Sequence, residues 1–182
     1  MKRVRDVRYT KDDLIRHMVG KRENFVANVA TIANECRRRG IIFIPATQQS
    51  KSFLIDRDKI RGTSYQDERQ QVLQSLAKDG TITHLELDFL THAAMMDTLV
   101  TWVHSQGLPL ADVIAAMNGR RDCLVSWVHL SPEGNRIVAR TFEASILSRL
   151  EENNAAGITQ HAAAASPTAS PSSPPAPLQN HN

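Results

Sequence analysis

The sequence contains no 18-residue apolar run. Its densest apolar block, residues 41–44, is far too short to span a bilayer, so no membrane segment is expected. Cysteine is nearly absent. Cys36 and Cys123 lie far apart and neither has a CxxC partner, which excludes a disulfide framework and predicts two reduced core thiols in a cytoplasmic protein. There is no Gly-rich phosphate loop, no HExxH and no GxSxG, so the expectation is a protein that is not an enzyme and carries no cofactor. The opening MKRVRDVRYT has charge but no apolar stretch behind it, which argues against a secretory signal, and Asp6, Asp12 and Asp13 argue against a transit peptide. Cations are missing from the middle: no Lys or Arg falls between Asp79 and Gly119, where Glu86, Asp88, Asp97 and Asp112 do.

With 182 residues, 41% of them hydrophobic, the chain holds one domain with appendages and a core of ordinary size. The net charge of +3 hides an asymmetry. Residues 1–61 hold 15 Lys/Arg against 7 Asp/Glu, and residues 62–182 hold 7 against 12. A basic first third suggests an anionic partner, nucleic acid being the commonest, and an Arg-rich soluble surface is the plainer alternative. From about Asn153 the chain is Ala, Pro and Ser without Asp, Glu, Lys or Arg, too poor in apolar area to offset ordering entropy, so a disordered tail is expected. The domain reading is a basic helical and hairpin region over 1–62, a folded domain over 63–152 and the tail over 153–182.

The folded part reads as helices with small β elements. Thr10 with Asp13, Ser64 with Asp67 and Thr83 with Glu86 have capping-box spacing and mark three helix starts. Leu14, Ile15 and Met18 form a short stripe before Gly20. Phe25, Val29, Ile32 and Cys36 recur at helical spacing up to Arg37-Arg38-Arg39-Gly40, where glycine suits the left-handed end position. Residues 41–44 and 52–55 are strand candidates joined by the polar loop 46–51, a plausible hairpin. Val72, Leu73, Leu76 and Ala77 belong to a helix stopping at Asp79-Gly80. The apolar residues from Leu85 through Val103 fit one long helix, or two helices broken near 91–93, although neither Gly nor Pro forces a break. Pro109 suits the first turn of a short segment ending at Asn118-Gly119. Ile137, Val138, Phe142, Ile146, Leu147 and Leu150 repeat at three and four, which predicts a final helix.

Between these lies the most telling stretch, 119–138. Arg120 and Arg121 lead into a β-branched, Trp-containing segment over 123–130, and Ser131-Pro132-Glu133-Gly134 suits either a turn or a helix start. Taken in order, VLQSLAKDG, THLELDFLT, MMDTLVTWVHSQGL and LVSWVHLSPEGNRIV resemble the winged-helix core of MarR-type transcription regulators over residues 65–150. The resemblance implies a mainly α fold with small β elements: a winged helix-turn-helix core, here with extra N-terminal helices and a β-hairpin. It implies a recognition helix within 95–108, a wing at 123–130 and a last helix used in dimerisation. It also implies a DNA-binding transcription regulator acting as a homodimer.

On that reading the nucleic-acid contacts are Arg3, Arg5 and Arg8 of an N-terminal arm, Thr98, Thr101 and Gln106 of the recognition helix, and Arg120 and Arg121 of the wing. Two observations run against the family pattern: the cation-free middle, and Arg120-Arg121-Asp122 where the family has acid before base. The alternative keeps the fold and drops the DNA. It is an adaptor module whose basic first third meets an acidic partner, with Trp102 or Trp127 as anchors. His84, Asp88 and His92 lie at i, i+4, i+8, a spacing that lines up metal ligands on an unbroken helix; three polar residues on a solvated face is the plainer reading, and no metal is expected. Cys36 stands beside three arginines, which lower a thiol pKa, but its apolar stripe assigns it to the core.

Overall fold

Three helices begin with the same local device. Thr10, Ser64 and Thr83 each accept a hydrogen bond from the backbone three residues on, and Asp13, Asp67 and Glu86 each reach back to the cap nitrogen. In this computed structural model, which describes residues 7–56 and 59–164 with side chains through 152, those boxes open α1 (Lys11–Met18), α3 (Tyr65–Asp79) and α4 (His84–Ser105). Strand β1 (Arg8–Thr10) precedes α1, and α2 (Lys21–Arg38) follows it across Gly20, whose φ of +72° a side chain would strain. Strand β2 (Thr81–Thr83) sits between α3 and α4 and pairs antiparallel with β1, Tyr9 opposite Ile82. The chain ends in α5 (Val113–Met117), a 3₁₀ turn over Asn118–Cys123, and α6 (Pro132–Ala164). Among the described residues the fold is mainly helical with one small two-stranded sheet. Residues 1–148 form one unit and 149–182 another. Among the described residues no helix is long and apolar enough to cross a membrane.

Helix α4 organises the larger core. Leu87, Phe89, Leu90, Ala93, Met96, Leu99 and Val103 are buried on it, against Leu14, Tyr65, Val72, Leu76, Ile82 and Ile114. From α2, Phe25 and Val29 pack onto this core and Ala33 is buried, whereas Ile32 is exposed: the inner stripe of α2 runs 25–29–33. A second cluster of Val113, Met117 and Cys123 receives Ala46, Leu130, Ile137 and Val138. Gly134 closes that joint, since a Cβ there would lie 3.1 Å from the Cβ atoms of both Cys123 and Leu130.

Three expectations are corrected. First, the helix-turn-helix with a separate recognition helix that the resemblance implied is not formed: α4 runs unbroken through 91–93, as the one-long-helix reading had it. Secondly, residues 41–56 form no hairpin; their one ladder contact is a parallel bridge from Ala46 to Ala111. Thirdly, the segment 123–130 is not a wing strand. Leu124 bridges Leu130 and Val125 N–H donates to the His129 carbonyl at 2.8 Å, so the chain turns back at once. Its bend carries Ser126, Trp127 and Val128 and no cation, while Ser131 stands directly before the first turn of α6. Helix α6 continues through residues 153–164, where alanine favours helix. The rest of the expected disordered tail, 165–182, lies outside the described residues.

Candidate functional site

Arg121 is wholly buried. Its Nε donates to Gln49 Oε1 at 3.1 Å, one terminal nitrogen to the carbonyls of Thr63 and Ser64 at 3.4 and 3.2 Å, and the other to the Ser50 carbonyl at 2.7 Å and to the Glu68 carboxylate. Five acceptors thus match the five N–H groups of a guanidinium. Glu68, equally buried, takes Ser52 N–H at 2.8 Å and Ser52 Oγ–H at 2.6 Å on its other oxygen. The expected wing arginine is therefore an internal clamp, out of reach of any phosphate. A 3₁₀ turn turns it inward beside Tyr65, whose ring centroid is 5.7 Å from Cζ.

The clamp holds a strap of polar residues, 47–52, buried except for Gln48. Thr47 Oγ–H donates to Asp112 at 2.8 Å and accepts the Ile114 N–H at 2.9 Å. Gln49 donates to the Ile114 carbonyl at 2.8 Å, and Lys51 donates its ammonium to the Leu124 carbonyl at 2.7 Å. A polar segment is tolerated inside because its groups are paired, Ser50 Oγ being left without a partner.

The other expected contact residues do not converge. Arg3 and Arg5 lie outside the described residues. Arg8 sits on β1 and donates to Thr81 Oγ1 at 3.3 Å. Thr98 and Thr101 bend their hydroxyls back to the carbonyls of Ala94 and Asp97 at 2.8 and 2.9 Å, on a helix surface that also presents the Asp97 carboxylate. Gln106 caps the end of α4. Arg120 is partly exposed but faces Asp122 at 3.3 Å and Glu133 at 3.7 Å. His84 and Asp88 do pair at 3.2 Å, whereas His92 turns into the core, where its Nδ1 meets Tyr65 Oη at 2.8 Å. Among the described residues no group of three His, Cys, Asp or Glu side chains is placed to hold a metal ion.

What the fold does present is the surface of the α1–α2 hairpin. Ile15 is half exposed and Val19 is 74% exposed. With Met18, Gly20, Arg22 and Glu23 they line a depression of about 530 Å³. Residues 11–39 carry seven Lys/Arg against four Asp/Glu. Of these, Arg16 is neutralised by Asp13 at 2.6 Å, and Arg38 and Arg39 share Glu35. Lys11 and Arg37 form no ion pair among the described residues. The sequence signal for this surface was present in the basic first third; that Ile15 and Val19 point outward was not, because stripe membership says nothing of which edge of the stripe is covered. No family model, curated protein or solved structure matches the chain.

Proposed function

We propose that this chain is a protein-interaction module that docks an acidic, amphipathic partner segment on the α1–α2 hairpin. One observation carries the reading: two large aliphatic side chains stand in solvent over a depression, inside a surface with an excess of cations. Apolar anchors supply the burial that docking needs, and a cationic rim selects acidic partners and speeds encounter. A helical peptide of Leu and Glu is expected to bind the full chain, and Ile15→Asp with Val19→Asp to weaken it at least tenfold with circular dichroism unchanged. Equal affinity for the variant sinks the reading.

A nucleic-acid role is the second reading, favoured by the 15-to-7 excess of cations over residues 1–61. It makes a separable prediction in the same assay. Random duplex DNA would bind with a steep salt dependence, indifferent to Ile15 and Val19, and the acidic peptide would not bind.

The module is also proposed to pair with a second copy along α6, where Ile146, Leu147 and Leu150 are about half exposed. Four of the seven charges on this helix mirror one another with opposite sign about Ile146: Arg140 with Glu152 and Glu143 with Arg149. Antiparallel pairing sets opposite charges together, whereas parallel pairing sets like charges together. Light scattering should report a dimer, lost in Ile146→Lys with Leu150→Lys. Arg140→Glu should weaken the dimer and added Glu152→Arg restore it; a monomeric wild type refutes the pairing.

A further inference from the structure

Two histidines meet where α1 lies on α4. His17, in the last turn of α1, has its Nε2 2.7 Å from Lys21 Nζ. An ammonium only donates, so Nε2 is the bare nitrogen and the ring is neutral. His84, the first residue of α4, contacts Asp88 through Nε2 at 3.2 Å, while its Nδ1 is buried without a partner. Tyr9 of β1 stacks on the His84 ring, with centroids 5.8 Å apart. His17 interacts electrostatically with Lys21 of α2 and with Asp88 and His84 of α4, so both rings belong to one cluster.

We propose that this cluster is an acid-operated latch: protonation of His17 releases α1 and the α1–α2 turn from α4. A proton on His17 Nε2 destroys its acceptor and sets a cation against the Lys21 ammonium. After protonation the His17 ring and the Lys21 ammonium are two cations at 2.7 Å. Leu14 and Met18, which α1 inserts into the core, are then uncovered. Burial, the larger cause, and Lys21 both hold the His17 pKa below its ordinary value. Its contribution to stability is thus present above the ordinary histidine range and is lost as pH falls through it. The latch rests on the packing of α1 and stands whether or not the hairpin docks a partner.

Amide exchange of the full chain tests it, at about pH 7.5 and about pH 5.5 and corrected for intrinsic rates. Protection over residues 11–20 is expected to fall in acid at least tenfold more than protection over α3 and the C-terminal half of α4. His17→Gln with His84→Gln should remove that difference. Lys21→Met, which removes the opposing cation, should move the opening to lower pH and raise the His17 pKa seen by NMR. Equal protection at both pH values, loss that persists in the double variant, or loss spread evenly over α3 and α4 would each overturn the latch. Should the double variant fail to fold, Lys21→Met decides alone, an unmoved opening being the refutation.

Discussion

Replacing Glu68 with alanine is expected to lower the free energy of unfolding by about 3–5 kcal/mol, the usual cost of leaving one partner of a buried ion pair behind. The cause is specific to this interior. A guanidinium stays charged under all ordinary conditions; that of Arg121 is wholly covered by protein, and among the described residues Glu68 is the one carboxylate paired with it. The remaining acceptors are three carbonyls and an amide, which satisfy donors without cancelling charge. Arg121→Ala is expected to cost a similar amount, since it strands Glu68 and frees the carbonyls of Ser50, Thr63 and Ser64 together. Because both substitutions break one network, their effects fall short of additivity, with a coupling of about 0.5–3 kcal/mol. Urea unfolding of the two single variants and the double variant measures it. Arg120→Ala, one residue earlier and partly exposed, should cost far less. Comparable losses for Arg120 and Arg121 would remove the clamp from this account.

That contrast shows where the sequence was legible. Helix starts are local: Thr10, Ser64 and Thr83 specify their caps within four residues, and all three caps form. Helix ends are nearly as local, since Gly80 takes the left-handed conformation that only its missing Cβ makes cheap. The periodicity from Leu85 to Val103 gave the central helix and most of its buried face. Neighbouring arginines, by contrast, are locally indistinguishable. Whether Arg121 meets a phosphate or an internal carboxylate depends on Glu68, 53 positions away, and on carbonyls of Ser50, Thr63 and Ser64. The same holds for the strap. Thr47 and Gln49 read as a polar loop because polarity is a local property, whereas their burial depends on partners at Asp112 and Ile114. The candidate surface lay between these cases: its charge could be counted along the chain, but the outward direction of Ile15 and Val19 is set by how α1 sits on α4.

His92 should make the whole fold acid-sensitive, over a range that overlaps that of the latch. Its ring is buried, Nδ1 is engaged with Tyr65 and Nε2 has no partner, so protonation places an unpaired cation in the core. Burial lowers its pKa from the ordinary 6.5 to about 4. A base that protonates more readily unfolded than folded gives stability that is complete above about pH 6.5 and falls away toward pH 4. Integrated over that range the loss approaches about 3 kcal/mol, and by about pH 5 it should have reached about 2 kcal/mol. Asp13, whose pKa is lowered to about 2 by its bonds to Thr10, loses its contribution only at lower pH, so it does not share the window. The measurement is the difference in urea midpoint between about pH 7 and about pH 5 for wild type and for His92→Asn, whose amide can still meet the Tyr65 hydroxyl. Subtracting one profile from the other cancels His17, His84 and the surface carboxylates, leaving His92 alone. Parallel profiles for the two proteins would mean that the ring takes up its proton without leaving the core, and the buried Tyr65–His92 pair would then be no determinant of acid stability.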